Sequence, residues 1–229
     1  MIFMHAQPRL TVLVGNYGSG KTEIALNLAL EKAEQGHAAL VDLDIVNPYF
    51  RSGEKRMLLE QKGVRVLMPT FATTAVDIPA LPAEIQSVFD NPSEQVVFDV
   101  GGDDTGATAL GRYAPFFQKE RGNTRVLYVV NVCRPLSQTA GDILHLMERI
   151  SARARMKPDA LINNANLQGE TTAELLLRGQ EVLEEVSRKT GLPIAMITGE
   201  KAVLDMLPNS LKPLCKPIVR HMQPEWMDE

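Results

Sequence analysis

Short apolar runs alternate along this chain with amphipathic stretches of helical spacing, and most changes of rhythm fall at a glycine or proline. Leu10-Thr11-Val12-Leu13-Val14 predicts a buried strand. Ile24, Ala25, Leu26, Leu28, Ala29, Leu30 and Ala33 then recur at helical spacing up to Gly36, a natural stop. Further strands are predicted at Ala38–Asp42, Val64–Met68, Gln95–Asp99, Thr124–Asn131, Ala160–Asn164 and Pro193–Ile197. Between them lie helical patterns at Glu54–Gln61, closed by Gly63, at Ile78–Asp90, at Ala107–Glu120 with Pro115 interrupting it, at Gln138–Arg155 and at Thr171–Thr190. Pro69–Val76 reads as loop. From about Pro208 the chain carries further prolines and little periodicity, which predicts an extended or poorly structured tail. Strands alternating with helices imply an α/β fold whose mainly parallel sheet is covered on both faces.

Composition narrows the class. With 229 residues, 45% hydrophobic and 23% charged, and no Ser/Gly-rich linker, the chain is expected to form one domain over 1–229. A net charge of −4 gives no general electrostatic grip on nucleic acid. Two distant cysteines, Cys133 and Cys215, can build neither a disulfide framework nor a thiolate metal site. No basic-then-apolar leader and no membrane-length apolar run occurs, so a cytoplasmic protein is expected. His145, on a helical pattern without a ligand-spaced partner, reads as structural.

The chemistry concentrates at strand ends. Gly15-Asn16-Tyr17-Gly18-Ser19-Gly20-Lys21-Thr22 fits G-x-x-x-x-G-K-[ST] between a predicted strand and a predicted helix. Glycines let the loop curl so that backbone N–H groups face phosphate oxygens at the positive end of a helix. Candidate nucleotide contacts are therefore Gly15, Asn16, Tyr17, Gly18, Ser19, Gly20, Lys21, Thr22 and the following Glu23. Lys21 would meet the β- and γ-phosphates, and Thr22 would offer its hydroxyl to Mg²⁺. After the second strand, Asp44 is placed to hold a Mg²⁺-bound water or to orient the attacking one. Val96-Val97-Phe98-Asp99 has the form of a Walker B strand with Asp99 as a metal residue, and Gly102 behind it can donate a backbone N–H to a γ-phosphate. Asp103 and Asp104 are further candidates for positioning water.

Taken in order, these three motifs resemble the ParA/MinD and nitrogenase iron protein group of P-loop NTPases, often called CobQ/CobB-like. The resemblance implies a three-layer P-loop NTPase fold with a seven- or eight-stranded sheet and Mg²⁺-dependent ATP hydrolysis. It also implies a nucleotide-driven switch that acts on a protein partner, and a nucleotide-bridged homodimer. It carries over Lys21 and Thr22 as phosphate and metal ligands, Asp44 as the first-switch aspartate, Asp99 as the Walker B aspartate and Asp103 as the water-activating position. Two departures stand out. Asn16 occupies the place of the lysine that reaches across the dimer, leaving Arg51 as a candidate replacement cation. No cysteine lies in the second-switch region, which argues against iron–sulfur chemistry. Asn163-Asn164-Ala165-Asn166 lacks the lysine and aspartate of a guanine-reading N-K-x-D, so ATP is favoured over GTP, with Asn163 or Asn164 as candidate adenine contacts. Two rival readings keep the fold. One is a kinase or ligase of dethiobiotin-synthetase type, with its acceptor at 47–53 or 70–82; the other is a non-enzymatic nucleotide-gated scaffold.

Overall fold

The computed structural model describes residues 8–44, 56–68 and 83–221. Its centre is β1 (Leu10–Gly15), buried throughout because its β-branched and aliphatic side chains are covered on both faces. The remaining strands are β2 (Ala38–Leu43), β3 (Val64–Leu67), β4 (Gln95–Val100), β5 (Thr124–Val130), β6 (Ala160–Asn163), β7 (Ile194–Gly199) and β8 (Cys215–Pro217). All pair in parallel in the order β3-β2-β4-β1-β5-β6-β7-β8. From β1 the chain first builds one side of the sheet and then, after β4, crosses to build the other. The carboxyl end of β1 is therefore the switch point where a doubly wound sheet opens a crevice for ligands.

Alternate side chains of each strand serve two separate cores. On one face Leu13, Leu40, Val66, Val97, Val129 and Ile162 meet α1 (Lys21–Ala33) and Leu59 of α2 (Arg56–Gln61). On the other, Val12, Val41, Phe98 and Tyr128 meet α3 (Ala83–Asp90), α4 (Asp104–Gly111), α5 (Ala114–Lys119), α6 (Ala140–Ala154) and α7 (Ala173–Thr190). The caps follow ordinary chemistry. Asp103, Thr139 and Thr172 accept from backbone N–H groups at the starts of α4, α6 and α7, and Gly191 closes α7 in the left-handed conformation. The helix expected at Ala107–Glu120 is two helices, with Pro115 in the first turn of the second, where its missing N–H costs nothing. α1 ends at Ala33, three residues before Gly36.

The sheet has eight strands, and the last lies in the proline-bearing tail. β8 follows the short α8 (Lys201–Leu204) and forms one edge of the sheet beside β7, the position in which a strand tolerates proline. Beyond it the chain lies along α1. The Asn27 carboxamide accepts from the Val219 N–H and donates to the Val219 carbonyl, both at 2.8 Å. Glu23 accepts from the His221 N–H, and Lys216 pairs with Glu31. Among the described residues, no helix is long and apolar enough to cross a membrane.

Candidate nucleotide site

Between β1 and α1 the chain turns through Gly15, Gly18 and Gly20, with φ of 149°, 68° and 86°. Only glycine fits at the two ends of this turn. A Cβ on Gly15 would stand 2.3 Å from the Val129 carbonyl oxygen, and one on Gly20 would stand 2.2 Å from Asn164 Nδ2. The loop is thus pressed against β5 and against the end of β6, and those neighbours hold its shape.

Lys21 opens α1 and is buried, its Nζ donating to the Asn16 carbonyl at 2.9 Å. Burial lowers its pKa, while Asp99, Asp44 and Asp103 pull the other way. Asp99, near the end of β4, is 1% exposed and sits opposite Leu13 on β1 and Asp42 on β2 in the sheet register. Burial pushes its carboxyl up to about 6, against the opposing effects of the Lys21 charge and a hydrogen bond from Thr22. Asp99 Oδ2 and Ser19 Oγ are both buried without a hydrogen-bond partner among the described residues. An unsatisfied carboxylate oxygen beside a threonine hydroxyl suits a hard, oxygen-seeking cation that keeps its own waters, so the donor set fits Mg²⁺.

The two aspartate loops converge here. Asp44 donates its N–H to Asp42 Oδ1 at 2.8 Å, and Asp44 Oδ1 comes within 3.2 Å of where a Cβ on Gly101 would stand. A Cβ on Gly102 would stand 2.5 Å from the Tyr17 Cα and N, so the loop after β4 touches the phosphate loop backbone to backbone. Asp103 uses Oδ1 to accept from the Gly106 N–H at 2.8 Å, which starts α4. Asp104 faces away and pairs with Arg149 and Arg153 of α6. Lys21, Thr22, Asp44, Asp99, Gly102 and Asp103 are therefore gathered at one place, and Asp104 is not.

Three asparagines expected at the ligand are engaged with the protein itself. Asn16 donates to the Pro135 carbonyl at 2.7 Å and to Ser137 Oγ at 3.0 Å, and accepts from the Tyr17 N–H. Asn163 is buried, donates to the Leu176 carbonyl and accepts from the Ala165 N–H. Asn164 donates to the Ser19 carbonyl at 2.7 Å and accepts from the Thr198 hydroxyl at 2.8 Å, which ties the phosphate loop to β7. Tyr17 stands 62% exposed, and Glu23 receives the tail. Arg51 and the two acceptor loops, 47–53 and 70–82, lie outside the described residues.

Two participants carried no recognisable signal in the sequence. Asn131 follows directly on β5 and is wholly buried; it accepts from the Cys133 and Asn166 N–H groups and donates to the Asn166 carbonyl. Arg134 is exposed, and its Nε donates to the Gly18 carbonyl at 3.0 Å. Both lie in a loop with no motif of its own, more than a hundred residues from the glycines that it touches.

No protein-family model matches the chain, and no curated protein does. Solved structures do. The chain is similar to chloroplast FtsY from Physcomitrella patens (15% identity, TM-score 0.54, 84% of this chain and 59% of that one). It is similar also to signal recognition particle 54 kDa protein from Aeropyrum pernix solved with GDP (21%, 0.52, 84% and 41%). A nucleotide-binding protein from Archaeoglobus fulgidus solved with ADP covers 97% of this chain and 91% of its own at 16% identity, with a TM-score of 0.48. The chain spans 41% to 63% of the length of the first signal-recognition proteins it matches. At these identities the likeness is one of fold: an all-parallel α/β sheet of P-loop NTPase type.

Proposed function

We propose that the chain is a Mg²⁺-dependent nucleoside triphosphatase that prefers ATP to GTP and acts as a switch of ParA/MinD type on a protein partner, with a nucleotide-linked homodimer as its closed state. The observation that carries this reading is the buried Lys21 and Asp99 with the half-buried Thr22 beside them, beneath a glycine loop braced by β5, and with one Asp99 oxygen unsatisfied among the described residues. Lys21 and the loop N–H groups would hold the phosphates. Thr22 and Asp99, with Asp44 beside them, would hold Mg²⁺, which would neutralise charge developing between the β- and γ-phosphates. Asp44 is the preferred residue for orienting the attacking water, because Asp103 Oδ1 is already committed to the start of α4. Contact between Gly102 and Tyr17 gives the loop after β4 a direct means of sensing what the phosphate loop holds. The preference for ATP rests on the stretch after β6, which lacks an aspartate to read a guanine edge.

Fluorescent-nucleotide binding and phosphate release test the reading. Lys21→Ala is expected to abolish binding or turnover. Asp99→Asn is expected to keep nucleotide binding and lose Mg²⁺-dependent hydrolysis. Wild-type turnover in the double variant would overturn the assignment. Tighter competition by GTP than by ATP would overturn the base preference alone.

A further inference from the structure

We infer that Arg134 is the second cation of the phosphate site, donated from within the same chain; this rests on the nucleotide-hydrolysing reading above. Charge is the first argument. Among the described residues, the buried Lys21 faces Asp99, Asp44 and Asp103, which leaves these four groups two negative charges in excess before a triphosphate arrives. A bound divalent cation would only cancel that excess. Stabilising the charge that develops on a transferring phosphoryl group calls for another positive group at the mouth of the loop.

Geometry supplies one. Arg134 is exposed, and its side chain lies against Gly18, with Nε, Cζ and Cδ 3.0–3.4 Å from where a Gly18 Cβ would stand. Nε is anchored on the Gly18 carbonyl at 3.0 Å. Nη1 and Nη2 bond nothing among the described residues, so the fork keeps four N–H donors for oxygens of a ligand. A guanidinium held at one nitrogen and open at the others is oriented before binding, which lowers the entropy cost of using it.

The loop that carries Arg134 is held rigidly against the phosphate loop. The Arg134 N–H donates to the Asn131 carbonyl at 3.0 Å, and Leu136 takes the left-handed conformation at φ 61°. Asn16 holds Pro135 and Ser137, the residues just beyond the arginine. Position 16 thus carries no charge itself; its side chain fixes the loop that brings one.

The test uses the full chain with Mg²⁺ and either ATP or ADP. Arg134→Ala is expected to lower kcat on the order of 100-fold while ADP affinity stays within about threefold. Guanidinium chloride at low millimolar concentration is expected to restore part of the turnover of Arg134→Ala and none in the wild type. Wild-type kcat in Arg134→Ala would overturn the inference. So would equal losses of ADP and ATP-analogue affinity with no rescue, which would make Arg134 only a brace for the loop. A wild-type chain that binds neither ATP nor GTP would overturn the hydrolase reading, and the inference with it.

Discussion

Gly102→Ala isolates the contact between the two loops of the site. Gly102 does not have the left-handed backbone that would by itself exclude alanine. The obstacle is spatial: the new Cβ would meet the Tyr17 Cα and N at 2.5 Å and the Asn16 carbonyl carbon at 2.8 Å. Carbon atoms in contact rest at about 3.5–4.0 Å, so one loop must retreat by roughly 1 Å. Both partners are backbone, which cannot rotate out of the way as a side chain can. Overpacking of this kind costs about 1–3 kcal/mol. For a domain of this size that lowers the melting temperature by roughly 2–12 °C. A displacement of about 1 Å between the phosphate loop and the residues beside Asp103 is expected to reduce turnover about 100-fold. Gly122→Ala is the control, because no atom lies within 4 Å of its new Cβ. Melting curves and phosphate release on both variants decide the matter. If Gly102→Ala matches Gly122→Ala in turnover, the contact does not transmit anything and the reasoning fails.

Asn164→Ala should cost about 1–3 kcal/mol, because it takes from the Ser19 carbonyl its carboxamide donor and leaves the buried Thr198 hydroxyl only its longer bond to the Asn163 carbonyl. Thermal melting will register this, and nucleotide affinity should fall with it. Lys32 is buried in α1, and its pKa is lowered by burial to about 8 from 10.5. The folded state therefore carries a cost for the charged form below pH 8, and this is relieved as pH rises from 8 towards 10.5. Relative to Lys32→Met, the wild type should gain up to about 3 kcal/mol across that window. Paired urea titrations at pH 8 and 10 would show it, and parallel curves would refute it.

Much of the sheet was legible because parallel strands buried on both faces are locally apolar and β-branched. Leu10–Val14 and Val96–Asp99 need no distant information to be recognised, and the glycines at 15, 18 and 20 fall at the positions that their conformations require. β8 was not legible: three residues ending in a proline hold no periodicity, and β8 exists only because β7 offers it an edge. The roles of Asn16 and Asn164 were hidden for a related reason. An asparagine beside a phosphate loop reads as a ligand contact until its partners are known, and Ser137 and Thr198 are 121 and 34 residues away. Arg134 carries no signal of its own because its loop has no repeating pattern, and its meaning lies in the Gly18 carbonyl 116 residues earlier.

The clamp along α1 bears on how the chain comes to be folded. Glu31 and Lys216 are separated by 185 residues, Asn27 and Val219 by 192. At about 5–20 residues per second, the segment that grips the helix leaves the ribosome roughly 10–40 s after the helix itself. During that interval the residues of the phosphate loop and its helix are already outside, while the flank that the tail will cover is bare. The nascent chain thus passes through a stage in which its site is written but not yet fastened. Contacts this remote in sequence also close late in refolding, since chain entropy must be overcome before they contribute.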